Sequence, residues 1–303
     1  MRSASTLLLV LALSLAACGQ SPQEQADRWK KQRARITSAL LKKTDPDSLA
    51  AAGLLSFENP ERMSDLLARA VASAPERADL LWVEARACEK QPACDPGPLD
   101  RRLRTVDAQN GAAWLSALAR AEALHDEAAR DAALAAISRS TRVDIYWTTL
   151  IARLTSAAAQ TGVIPLREAE ESIIGVLGAQ AIPALHTVSE SCKGDRLQRP
   201  DVVEVCRGIA QALENGDTYI IEMFGVSIAK RVWPEHSSEW TAATGARRVY
   251  EYRAKLMQGI ESKGWDERAA RSFLTLCAEN HREQDVFRAQ LVAAGQNPDP
   301  PRN

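Results

Sequence analysis

Apolar residues recur along this chain at three- and four-residue steps, the interval that lines one face of an α-helix, and no stretch alternates as a half-buried strand would. Between 45 and 160 the helical pattern is itself repeated. Asp79-Leu-Leu-Trp82-Val-Glu-Ala85-Arg-Ala87 is echoed by Gly111-Ala-Ala-Trp114-Leu-Ser-Ala117-Leu-Ala119 and by Asp144-Ile-Tyr-Trp147-Thr-Thr-Leu150-Ile-Ala152, with the tryptophans 32 and 33 residues apart. A weaker copy starts at Asp47, with Ala50 and Gly53 in the corresponding places. Each unit then holds a second apolar helix: Met63, Leu67 and Ala70 run toward Pro75, and Ala129, Ala133 and Ala136 toward a turn near Ser140. A helix pair of this size cannot bury its faces alone, so neighbouring pairs are expected to stack.

The rhythm stops near 161, but the helical pattern does not. Leu166, Ala169, Ile173 and Leu177 define one helix, and residues 182–189 another. Asp201 and Glu204 have capping-box spacing before Val205, Ile209 and Leu213. Asn215-Gly216 is the stop, and Asp217 is expected to cap a helix carrying Ile221, Phe224, Ile228 and Val232. A long helix after Ser238 should turn Val249, Tyr252, Leu256 and Ile260 inward; Asp266 opens the next toward Asn280, and residues 286–294 form the last. Residues 296–303, with three prolines, are expected to be disordered. The organisation predicted is an N-terminal helix in 18–44, repeats in 45–160, a C-terminal helical region in 161–295 and a tail, with 161–165 as the one candidate boundary.

Region 45–160 resembles the tetratricopeptide family. The resemblance rests on Ala51, Leu54, Leu67, Ala70 and Pro75 in the first unit and on the tryptophan-plus-small pattern in the next three. The period is slightly short, and the family's Leu-Gly pair in the first helix is missing. The resemblance implies an all-α chain: a TPR-like α-solenoid of antiparallel helix pairs continuing into the C-terminal helical region, with a concave face suited to a protein or peptide.

The beginning of the chain carries an address. Arg2 precedes a short apolar run, residues 7–15, broken by Ser14. This is a secretory leader in form and is shorter than the roughly 20 apolar residues a spanning helix needs. Its end, Leu15-Ala16-Ala17-Cys18, resembles the lipobox of bacterial lipoproteins. That resemblance implies removal of residues 1–17 and acylation of Cys18; Gly19, rather than Asp, implies delivery to the outer membrane, facing the periplasm. Ser21-Pro22-Gln23-Glu24 reads as a helix start, so Gly19 and Gln20 would leave a tether of roughly 7 Å.

Composition narrows the partners. The formal net charge is −1, and about −2 once Arg2 leaves, which is no electrostatic footprint for nucleic acid and no overall basic character for anionic lipid. Of the six cysteines, Cys18 is assigned to lipid. Cys88 and Cys94 flank one turn and Cys192 and Cys206 flank a loop, the natural pairs by proximity in an oxidising compartment, although four cysteines allow three connectivities. Cys277 is left over beside Phe273 and Leu274, as a buried thiol would be. No cysteine spacing matches a zinc or redox motif.

Candidate chemistry is sparse. His125, His186, His236 and His281 have no metal spacing, and there is no Gly-rich phosphate loop, so no metal or cofactor is expected. Ser227 and Lys230 have Ser-x-x-Lys spacing, but within a helix and without the companion motifs of penicillin-binding enzymes. The densest cluster is 233–240, where Trp233, Glu235, His236, Glu239 and Trp240 crowd one inter-helix loop. Aromatic anchors of this kind suit a binding edge; the alternative is that both rings pack inward. The expected function is therefore a non-enzymatic adaptor or scaffold, held to the membrane through lipidated Cys18 and binding an envelope protein or peptide. The alternatives are an envelope hydrolase acting on peptidoglycan or another glycan, using Glu235, His236 and Glu239, and a lipid or small-molecule carrier, which would need a large apolar cavity.

Overall fold

The computed structural model describes residues 22–91, 94–180, 182, 184–261 and 265–301. The leader, the lipobox and Cys18 lie outside the described residues. The chain is all-α: α1 Pro22–Leu40, α2 Pro46–Leu55, α3 Pro60–Ser73, α4 Ala78–Cys88, α5 Gly97–Val106, α6 Leu115–Ala123, α7 Glu127–Ser138, α8 Trp147–Ala159, α9 Leu166–Gly178, α10 Leu185–Ser191, α11 Pro200–Glu214, α12 Tyr219–Val232, α13 Ser238–Glu261, α14 Glu267–Glu279 and α15 Glu283–Ala293. Among the described residues the β-type pairing is a single bridge, Asn110 to Arg142. No described helix is long and apolar enough to cross a membrane.

Local chemistry sets the helix starts. Asp45 accepts the Ser48 amide with Pro46 following, and Asn59 accepts the Arg62 amide with Pro60 following. Asp126 and Asp266 cap α7 and α14 in the same way. Such a cap is worth about 1 kcal/mol. The expected starts at Asp201, Asp217 and Ser238 are each displaced. Helix α11 begins at Pro200, with Asp201 paired to Arg199; Thr218 caps α12; Ser237 accepts the Trp240 amide ahead of α13.

Helices α2 to α7 pack on one another in chain order, as stacked pairs would. The predicted inner face of the first unit is buried: Ala51, Leu54, Met63, Leu67 and Ala70 are all inaccessible. In α7, Ala133 and Ala136 are buried with Leu134 and Ile137, whereas Ala129 is exposed. Arg77 joins successive units, reaching Asp79 and, at 2.8 Å, Asp47 of the unit before. The tryptophans serve the stack: Trp82 is buried beneath the Arg86 guanidinium at 4.4 Å, and half-buried Trp114 lies beneath Arg104 at 4.1 Å.

The Trp147 helix does not take the fourth place in this stack. Helix α7 meets α11 instead, and α8 packs against α2, α9 and α14. Glycine permits the substitution. A Cβ on Gly208 of α11 would lie 2.5 Å from the Ser138 carbonyl oxygen, and one on Gly225 of α12 2.6 Å from the Glu214 amide nitrogen. The path of packed neighbours runs α2, α3, α4, α5, α6, α7, α11, α12, α13, α15, α14, α8 and back to α2. The helices therefore close a circuit, and one buried cluster extends from Ile36 to Val286 across the turn at 161–165.

Helix α13 sits at the rim of this body. It buries Ala243 and Met257 fully, while Val249, Tyr252, Leu256 and Ile260 are half-buried. Residues 296–301 follow α15 and lie against α13, where Arg253 donates to the Pro298 carbonyl at 3.0 Å and pairs with Asp299. Disulfides join Cys88 to Cys94 and Cys192 to Cys206. Cys277 is free and buried.

Candidate functional site

The end of α12 and the start of α13 bring the 233–240 cluster to the surface. Pro234 stops α12, and His236 adopts a left-handed turn at φ +70°. Glu235, His236 and Glu239 are exposed, while Trp233 and Trp240 are half-buried. The His236 ring meets Trp240 edge-on at 5.7 Å, and the Lys230 ammonium lies over the Trp240 ring, 5.1 Å from its centre. Trp233 is flanked by Arg207, which also donates to the Val232 carbonyl. Glu239 sits at the helix N-terminus, where its own amide and the Ser238 hydroxyl hold its carboxyl below the usual carboxylate range. The result is a surface edge of two half-buried rings with two exposed carboxylates beside them. Chemically it can offer π-faces and hydrogen-bond acceptors to a flat partner.

Ser227 and Lys230 are turned to other tasks. The Ser227 hydroxyl accepts from the Arg231 guanidinium at 3.0 Å, and the Lys230 amine is committed to Trp240. His125 is exposed in a left-handed turn at φ +53°. Burial pushes the Cys277 thiol up, with Glu170 and Glu283 adding to the shift, so the nucleophilic thiolate is disfavoured.

Two constellations were not anticipated from sequence. The first is a junction at the α11–α12 turn. Asp217 is buried, its carboxylate accepting the Ile145 amide at 3.0 Å and the Trp147 amide at 2.8 Å. It therefore caps α8, whose own N-cap residue, Tyr146, stands at φ +62° and supplies no side-chain cap. On the other side of the turn, the Asp217 carbonyl accepts the Glu283 amide, and the Glu283 carboxyl accepts the Tyr219 amide at 2.8 Å. Gln284 donates to the Gly216 carbonyl and, at 2.6 Å, to Glu222.

Burial raises the carboxyl pKa values throughout this junction. Asp217 is pushed up by burial and by the Asp144 carboxyl beside it. Glu283 is pushed up to about 7, by burial first and then by Glu222. Glu214 is likewise raised to about 7 by burial and Glu222. The Asp217 and Glu283 carboxyls are oriented by backbone amides, so their arrangement is that of a structural joint.

The second is an open groove of about 520 Å³ along α1, lined by Lys31, Ala34, Arg35, Ser38, Ala39 and Lys42 with Gly162 and Val163. A smaller hollow of about 240 Å³ lies beside Asp45, Asp47 and Arg153. The basic run of α1 is countable in the sequence; its alignment on one face required the helix.

Among the described residues no group of three or more His, Cys, Asp or Glu side chains could hold a metal ion. Comparison with protein-family models, with curated proteins and with solved structures finds no match to this chain.

Proposed function

We propose that this chain is a membrane-anchored periplasmic lipoprotein that serves as a protein-interaction adaptor or scaffold in the cell envelope. The observation that supports the interaction half is the surface edge of exposed Glu235, His236 and Glu239 around half-buried Trp240, presented on a helical body. Aromatic anchors ringed by polar groups are the usual energetic centre of a protein interface. The lipobox resemblance at Cys18 supports the anchor, and the Cys88–Cys94 and Cys192–Cys206 bridges fit an oxidising compartment. A glycan hydrolase would need two carboxylates facing each other across a groove. Glu235 and Glu239 instead lie four residues apart, both exposed, across the start of α13.

The test is site-specific photo-crosslinking in growing cells, with the crosslinker at position 236 or 239 and, as the comparison, at exposed position 268. The expected result is one reproducible envelope-protein adduct from 236 and 239, absent from 268 and lost in Trp240→Ala. Equal adduct patterns at all three positions would overturn the interface. Anchoring is tested separately: the mature N-terminal peptide should begin at an acylated Cys18, and Cys18→Ser should leave the membrane fraction.

A further inference from the structure

Net charge hides a strongly basic segment. Residues 28–43 carry Arg28, Lys30, Lys31, Arg33, Arg35, Lys42 and Lys43 and no acidic residue, in a chain whose formal net charge is −1. The fold uses some of these cations internally. Arg33 is buried between Trp29 and Phe57 and pairs with Glu58 at 2.6 Å; Arg28 lies 3.9 Å from Glu168. Lys31, Arg35 and Lys42 have no ion-pair partner among the described residues, and all three are exposed. Lys31 and Arg35 stand at i and i+4 on one face of α1, and Lys42, in the turn that follows the helix, lines the same groove. Arg35 is braced by donating to the Val163 carbonyl at 2.7 Å. Asp27, one turn before Lys31, takes the Gln23 amide. Between the cations the groove is floored by Ala34, Ser38, Ala39 and Gly162, small residues that let a bulky group come close.

We propose that this face of α1, with the turn that follows it, lies flat on the bilayer and seats anionic phospholipid headgroups in the groove, with Lys31, Arg35 and Lys42 as the phosphate-contacting cations. The inference rests on the anchoring reading for one point: helix α1 starts four residues after Cys18, so a lipid there brings this face to the membrane surface. Three cations on an open groove with no carboxylate in its lining are complementary to phosphodiesters. A basic surface beside an acyl anchor also supplies the second signal that makes membrane attachment stable.

The experiment is vesicle flotation of the full chain carrying Cys18→Ser, which has no acyl chain. Vesicles of phosphatidylcholine are compared with vesicles containing phosphatidylglycerol. Any contribution of the apolar leader is the same in every variant and on both lipids. We expect preferential binding to phosphatidylglycerol, weakened about a hundredfold by Lys31→Gln/Arg35→Gln/Lys42→Gln together, each basic residue near an anionic surface being worth about 1 kcal/mol. Arg268→Gln/Arg271→Gln/Arg288→Gln removes equal charge from other exposed positions and should bind as the parent does. Unchanged binding of the α1 variant, an equal loss in the second variant, or equal binding of the parent to both lipids would each overturn the proposal. Circular dichroism confirms that both variants are folded. Preferential binding with an unacylated Cys18 in cells would retire the anchor and leave the surface standing.

Discussion

Asp217 caps a helix 70 residues away: its carboxylate accepts the Trp147 amide at 2.8 Å, and its other oxygen takes Ile145. The first turn of α8 has no acceptor of its own, because Tyr146 spends its hydroxyl on Asp107 and its backbone on a left-handed turn. One carboxyl thus fixes where α8 enters the core, and the same turn holds the start of α15 through the Glu283 amide. The closed circuit of helices passes through this joint.

Replacing Asp217 with alanine leaves two amides without their acceptor in a place water does not reach. Each orphaned donor costs about 1–3 kcal/mol. Asp217→Asn keeps one acceptor oxygen and removes the like-charge conflict with Asp144, so it should lose distinctly less than Asp217→Ala. Urea unfolding followed by far-ultraviolet circular dichroism measures both. Equal losses in the two variants would show that the capping bonds are not what Asp217 contributes.

The buried carboxyls of this joint, with Glu170 on α9, set a pH dependence. Glu283 and Glu214 are raised to about 7 by burial and Glu222, and Glu170 to about 7 by burial, against the hydrogen bond from Trp265. In the unfolded chain a glutamate ionises near about 4.3. A raised carboxyl holds its proton longer in the folded state, so its contribution is full below about 4.3 and gone once pH has risen through about 7. The melting temperature should therefore fall between roughly pH 4.5 and 7 and level off above that. Glu283→Gln, which can still accept the Tyr219 amide, should make the slope shallower. A slope identical to that of the parent would remove Glu283 from the account.

What could be read along the chain was local. Helix periodicity found the elements, and Asp266 and Asn280 mark the limits of α14 as their types suggest. The paired cysteines were legible because 6 and 14 residues of separation leave few other partners within reach. The closure was not legible, because it depends on which faces meet. Gly208 against Ser138 and Gly225 against Glu214 draw α7, α11 and α12 together, and a helical glycine says nothing by itself about its neighbour. Asp217 was misread for a related reason. An acidic residue just before a helix is normally its cap, and here Thr218 supplies that bond while Asp217 turns to a different helix. In the candidate edge, crowding in sequence did become proximity in space, but the half-burial of Trp233 and Trp240 lies between the two readings the composition allowed.

A buried ion triad ties the second unit to the third. Asp100 is fully inaccessible and pairs with Arg86 at 3.3 Å and Arg120 at 3.0 Å. Burial raises the Asp100 pKa, the two arginines oppose that shift, and burial lowers Arg86 in turn. Desolvation makes the intact cluster a weak source of stability, but removing Asp100 leaves buried Arg86 with only Glu89, at 2.9 Å, against its charge. Asp100→Ala should destabilise the fold by about 3–5 kcal/mol, the range for a broken buried pair. Asp100→Ala combined with Arg86→Met removes the under-compensated buried cation as well and should recover part of the loss. Chemical denaturation of the single and double variants checks this, and an additive double variant would deny the coupling.

The cysteines give a prediction with an internal control. Cys277 is buried on α14, and burial holds its thiol protonated, with Glu170 and Glu283 acting in the same direction. A maleimide needs both access and thiolate. The native protein should therefore show no modification at Cys277, denaturant alone should expose it, and denaturant with reductant should release Cys88, Cys94, Cys192 and Cys206 as well. Peptide mass spectrometry reads each position separately. Opening the Cys192–Cys206 bridge by Cys206→Ser frees a loop of separation 14 that connects α10 to α11, and should cost roughly 3 kcal/mol. If that variant opens the packing around α14 as well, Cys277 becomes reactive in native buffer. Reactivity at Cys277 in the parent protein would instead place it outside the core that the closed circuit of helices encloses.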